Sequence, residues 1–166
     1  MNYKNIFSYL LISGCLFSSS VNIFDAEIVA RNLYSAHAGK YTTNKFKIAS
    51  VEVLKEDSHE LIYLFHLNTD GFIMISADDR STPILAYSFE NSFELENVPP
   101  NVSWVIERYK KNLLTKIKSN EQASEDVKNN WDKFLYGKNL HRQQNDFVNP
   151  LITAEFDQGC HAPKAH

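Results

Sequence analysis

Apolar positions along this chain recur first at helical spacing, then at strand spacing, then at helical spacing again. Asp25 is a good N-cap for a helix over residues 26–38, with Gly39 as its stop. Ile28, Val29, Leu33 and Ala36, with Asn32 and Tyr34 at the edges, make its apolar face. Phe46, Ile48, Ser50 and Val53 begin a looser alternation that predicts a strand over 46–54, and Lys55 to Ser58 is a polar turn. Residues 61–67, rich in aromatic and branched side chains, predict a second strand. Asn68-Thr69-Asp70-Gly71 supplies a hairpin turn in which Gly71 is free to take positive φ, and the chain returns over 72–76 and again over 83–88. After Pro99-Pro100-Asn101, the residues Val102, Val105, Ile106, Tyr109, Leu113 and Ile117 repeat every three or four positions, with Glu107, Arg108, Lys110 and Lys111 on the other side. That pattern predicts a long helix over 102–118. A shorter helix runs through Val127, Trp131, Phe134 and Leu135 to Gly137, and residues 138–149 read as a polar linker. The expected fold class is α+β: an antiparallel four-stranded sheet packed against two main helices, with an additional C-terminal helix and an irregular tail.

The acid-acid-basic cluster Asp78-Asp79-Arg80 lies inside "DGFIMISADDRSTPILAYS", residues 70–88, between two apolar runs. Short acids in such a connection accept hydrogen bonds from nearby backbone amides. A metal site needs further oxygen ligands at close spacing, and none follow in an EF-hand order. A catalytic acid pair needs burial, which a polar turn does not provide. The cluster therefore reads as a turn. Tyr63, Phe65, Phe72, Tyr87 and Trp104 are assigned to the core or its edge, because aromatics at strand and helix spacing usually pack there.

The first residues follow a different pattern. Met1 to Asn5 carries one cation, and residues 6–12 are apolar but too few to span a bilayer as a helix. Ile12-Ser13-Gly14-Cys15 then resembles a bacterial lipobox, which implies cleavage before Cys15 and acylation of that residue. An ordinary secretory signal cut near residues 18–20 would instead discard Cys15. Both readings export the protein, as a periplasmic or outer-membrane lipoprotein or as a secreted protein. In the first, lipid on Cys15 provides a membrane anchor.

Composition narrows the class. Apolar residues make up 43% of 166, and the formal net charge is −3, without a basic patch suited to nucleic acid. The two cysteines, Cys15 and Cys160, leave no intramolecular disulfide once Cys15 is lipidated or removed. No cofactor motif, phosphate loop or zinc spacing occurs, so neither a cofactor nor a metal is expected.

The order of helix, strand and hairpin, then "GFIMISADDRSTPILAYS" and "PNVSWVIERY", resembles the prodomain of streptopain-type cysteine proteases. It resembles equally the stand-alone Spi-type inhibitors that copy that prodomain. Gly71, Phe72, Ser76, Asp78, Arg80, Pro83, Leu85, Tyr87 and Ser88 occupy the family's middle motif, and Ala77 and Asp79 depart from its usual turn. The resemblance spans about residues 26–117. Asn149-Pro150-Leu151-Ile152-Thr153-Ala154-Glu155-Phe156-Asp157-Gln158 looks like the start of the mature protease, with Phe156 in place of the usual Trp. These likenesses divide the chain into a signal segment 1–19, a prodomain-like inhibitor domain 20–118, a helix and linker 119–148, and a protease-like start 149–166.

The resemblance implies a protease-binding module whose partner is a streptopain-type cysteine protease. In the family, an asparagine just before the long helix enters the active-site region, and the ungapped match puts Asn101 there. Pro99, Pro100 and Trp104 lie on or beside the same segment. Asn101 is also a natural N-cap after prolines, and the two roles are compatible. Cys160 and His161 are adjacent, and adjacent residues rarely aim their side chains at each other; no later group orients the imidazole. They do not make a catalytic dyad, and the chain is expected not to be an enzyme. A second reading is an inactive remnant of a protease zymogen, which the tail favours. A lipoprotein with an unrelated scaffold role is a third.

Overall fold

Residues 20–37, 45–68 and 70–138 are described in a computed structural model of the chain. The expected helix stop at Gly39, the lipobox with Cys15, and the linker and tail with Cys160 lie outside them. Helix α1 (Ile23–His37) is followed by β1 (Ile48–Glu56), β2 (His59–Leu67), β3 (Gly71–Ser76) and β4 (Ile84–Ser88). One 3-10 turn at Leu95–Asn97 precedes α2 (Pro100–Ser119) and α3 (Glu125–Leu135). The strands form a single antiparallel meander in sequence order, so the class is α+β as the patterning predicts.

The sheet is covered on both faces. Tyr63, Phe65 and Leu67 of β2, with Ile73 and Ile75 of β3, pack against Ala26, Val29, Ala30 and Leu33 of α1 and against Trp131 and Phe134 of α3. Ile62, Leu64 and Met74 point the other way and meet Ile106, Leu113 and Leu114 of α2. Successive strand residues alternate between faces, which is why the two central strands are apolar at nearly every position. Each layer removes its own apolar face from water at roughly 25 cal/mol per Å².

The start of α1 differs from expectation. The helix begins two residues before Asp25, and Asn22 caps it: its Oδ1 accepts from the Asp25 backbone N–H at 2.9 Å, and its Nδ2 donates to Asp25 Oδ2 at 2.6 Å. Asp25 thus serves in the first turn, where a negative charge favours the helix dipole. The buried face also shifts. Ala26, Val29, Ala30, Leu33 and Tyr34 form it, whereas Ile28 is exposed. Small alanines let the helix approach the sheet closely, a preference that hydrophobicity alone does not register.

The turns divide the work of their residues differently from the sequence reading. Between β1 and β2, Asp57 (φ 48°) and Ser58 (φ 66°) are both left-handed, the two-residue geometry that matches strand twist. Between β2 and β3, among the described residues, the left-handed one is Asp70 (φ 43°) and not Gly71. Gly71 is required for another reason: a Cβ there would stand 2.7 Å from the backbone oxygen of Ser88. Gly71→Ala should force the ends of β3 and β4 apart at a cost of about 1–3 kcal/mol. Urea unfolding should show a lower midpoint at unchanged slope. An unchanged midpoint would mean that β4 yields there without cost.

Candidate functional site

The connection from β3 to β4 is a buried clasp rather than a polar turn. Asp78 is only 3% exposed. Its Oδ1 accepts the Arg80 backbone N–H at 3.0 Å, the short-range bond expected of a turn acid, and lies 3.5 Å from Arg80 Nε. Arg80 Nη1 donates to the backbone oxygens of Lys116 and Ile117, each at 3.1 Å, and Lys116 Nζ returns a bond to the Arg80 carbonyl at 2.9 Å. The guanidinium thereby adds a second donor to carbonyls at the C-terminal end of α2 that also accept from Asn120 N and Glu121 N, at the left-handed cap. Trp131 of α3 adds a bond from Nε1 to the Ser81 carbonyl at 2.8 Å. Burial raises the Asp78 carboxyl above its ordinary pKa, against the lowering effect of the Arg80 N–H and guanidinium. Asp78 holds Arg80, and Arg80 holds α2, so the cluster does structural work.

With its C-terminal end clasped to the sheet, α2 projects its N-terminal end past the 3-10 turn. Pro99 (φ −57°, ψ 146°) is the N-cap residue and Pro100 occupies the first turn. The Pro99 carbonyl accepts from Val102 N and Ser103 N, both at 2.9 Å, and no side chain caps this end. Asn101 is therefore not the N-cap its type suggests. It lies inside the helix, because Pro100 has no N–H to offer and its fixed φ already fits the first helical position. Pro99, Pro100, Asn101 and Trp104 are all exposed, within two turns of one helix end.

Trp104 departs from the expectation that the aromatics lie in the core or at its edge. It is 60% exposed, on the side of α2 opposite Ile106 and Leu113. The Arg108 guanidinium sits 5.3 Å from its ring centroid. The sequence pattern puts Arg108 on a polar face; its spacing of four residues from Trp104 is the available signal for the pairing. Tyr87 is also exposed, on the edge strand β4, whereas Tyr63 and Phe65 are buried and Phe72 is half-buried. Beside the end of α2 runs a cleft of about 260 Å³, with Leu54, Leu95, Val98 and Ile106 among its apolar lining and Glu107 and Lys110 among its charged lining. Lys110 bridges Glu107 at 3.0 Å and Glu56 at 3.3 Å. Burial alone would lower its pKa, but the two carboxylates outweigh burial and raise it.

Among the described residues, no group of three or more His, Cys, Asp or Glu side chains is arranged to hold a metal ion. No helix among them is long and apolar enough to cross a membrane.

The family model described as Spi protease inhibitor matches residues 18–113. Streptopain of Streptococcus pyogenes is 29% identical over 118 residues, covering 69% of this chain and 29% of streptopain. The thiol protease/hemagglutinin PrtT of Porphyromonas gingivalis is 25% identical over 108 residues, covering 63% of this chain and 12% of that protein. The chain thus spans less than a third of the length of these curated relatives. No solved structure matches.

Proposed function

The chain belongs to the Spi protease inhibitor family, and from that premise we propose that it is an exported inhibitor of a streptopain-type cysteine protease that occludes the enzyme's active site as a prodomain would. The family is one of inhibitors, and the protein acts by binding rather than by catalysis. The observation that carries the occlusion reading is the exposed N-terminal end of α2. Pro99 and Pro100 fix the backbone that leads into it, which lowers the ordering cost of binding. Asn101 stands at its tip with a carboxamide that both donates and accepts, so one side chain can pair with a catalytic imidazole and with backbone groups of the cleft. Trp104, already outside the core, adds an aromatic anchor one turn further along. A standard interface of about 1,600 Å² leaves room for both.

Titration of a purified streptopain-type protease from the same organism with this protein tests the reading. Activity should fall stoichiometrically at protease concentrations well above the inhibition constant, while papain stays active. A well-folded domain that leaves every such protease of its own cell active would remove the proposal.

Cys15 is proposed as the lipid attachment site of an exported lipoprotein. Radiolabelled fatty acid should enter the wild type and not Cys15→Ser, whose processing should stall. Equal labelling of the two would leave a plain secretory signal.

A further inference from the structure

Charge is distributed unevenly between α2 and the rest of the chain. The helix holds five cations, Arg108, Lys110, Lys111, Lys116 and Lys118, against the single carboxylate of Glu107, a net +4 in a chain whose net charge is −3. The other residues therefore carry −7. Three of the five cations are engaged by the fold: Lys110 with Glu56 and Glu107, Lys116 with the Arg80 carbonyl, and Lys118 with Asp57 at 2.7 Å. Arg108 and Lys111 meet no carboxylate among the described residues, and both are exposed. They stand on one stripe with Asn101 and Trp104, at positions i, i+3, i+7 and i+10, which is the outer face of the helix.

We propose that this outer face, with Arg108 and Lys111 beside Trp104, docks on an acidic surface of the protease next to its active-site cleft, and that the two cations set the rate and specificity of encounter. The inference rests on the inhibitory reading above and extends it from the tip of α2 to the helix flank. Trp104 and Arg108 are stacked before any partner arrives, so a rigid aromatic and a pre-oriented guanidinium are presented together. Trp and Arg are also the residue types that most often dominate interface energy. A planar guanidinium held by a ring keeps its outer N–H groups free for a carboxylate. The same charges argue against a second copy of this chain as the occupant. A two-fold dimer through this face would bring two cationic stripes together, with no carboxylate on either to offset the like charge. Cations at an interface rim act mainly on association, by steering, and their effect fades with ionic strength.

The test is the association rate constant of the full-length protein with a streptopain-type protease from the same organism, measured from low to high salt. Arg108→Glu and Lys111→Glu should each slow association about tenfold or more at low salt, with the difference shrinking as salt rises. Lys128→Glu on α3 changes the net charge equally and should associate like the wild type. Urea midpoints close to that of the wild type would exclude unfolding as the cause. If all three variants slow equally, or none does, while the wild type still inhibits, the acidic docking surface is wrong and the inhibitory function stands. If the wild type does not bind the protease at all, both fall. A wild type that sediments as a dimer, with Arg108→Glu monomeric, would assign the face to a second copy. Anionic phosphatidylglycerol vesicles that capture the wild type but not the variants, with association rates unchanged, would assign it to a membrane.

Discussion

Alanine at position 80 should cost the fold about 3–5 kcal/mol, the range for breaking a buried ion pair by removing one partner. The Arg80 side chain is 11% exposed and that of Asp78 5%, so the pair is largely removed from water. Two α2 carbonyls, of Lys116 and Ile117, lose their link to the sheet and keep only the bonds of their own helix end, and the carboxylate of Asp78 loses its counter-charge. The loss should also depend on pH. Burial already holds the Asp78 carboxyl above its ordinary pKa of 3.8. An acid whose folded-state pKa is raised binds its proton more readily folded than unfolded. Its contribution is most favourable below the unfolded value and is lost as pH rises through the folded one. Removing the guanidinium raises the folded value further, so Arg80→Ala should unfold closer to the wild type at about pH 4 than at neutral pH. Urea midpoints at the two pH values measure this. A variant within about 0.5 kcal/mol of wild type at neutral pH would mean that α2 is held by its other contacts, the packing of Ile106, Leu113 and Leu114 chief among them.

Alanine at position 104 should do the reverse: leave the fold intact and damage inhibition. An exposed tryptophan whose partner is a cation at the surface contributes little to stability, so the unfolding midpoint should move by no more than about 0.5 kcal/mol. Buried against the protease, the same ring becomes a central anchor. Its removal should cost about 2–4 kcal/mol of binding, roughly a thirtyfold to thousandfold rise in inhibition constant. Asn101→Ala, with one carboxamide lost, should cost about 1–3 kcal/mol if the amide is desolvated and paired in the cleft. A Trp104→Ala protein that inhibits like the wild type would place the docking surface elsewhere.

The contrast between these two positions shows what the sequence could disclose. Strands β2 and β3 were legible because both faces are covered: apolar residues at almost every position leave few other structures available. Helix α2 was legible from its spacing, although it starts two residues earlier than expected because a proline fits its first turn. The start of α1 was ambiguous in kind, since Asn22 and Asp25 are both good caps three residues apart, and only their mutual hydrogen bonds decide between them. Gly71 looked like a turn residue, yet its lack of a side chain matters to β4, seventeen residues on, which no local pattern encodes. The polarity of its neighbours makes Asp78 read as a turn residue, whereas in the fold Ser20, 58 residues earlier, bridges to it and the Arg80 side chain lies against it. Helical spacing makes Trp104 a candidate for the core or its edge as well as for the binding segment. Its outward position follows from the phase of the helix: with Ile106 and Leu113 buried, residue 104 must face solvent. The same phase aligns Asn101, Arg108 and Lys111 beside it.

Active-site occlusion is the central claim, and the reactivity of the protease's catalytic thiol tests it most directly. Iodoacetamide is small and needs only access to the sulfur. In the presence of a stoichiometric excess of this protein, alkylation of the catalytic cysteine should slow about as much as peptide hydrolysis does, and Asn101→Ala and Trp104→Ala should restore both together. If hydrolysis of a large substrate is blocked while the thiol is alkylated at its free rate, the protein binds away from the catalytic centre, and the end of α2 does not enter the cleft.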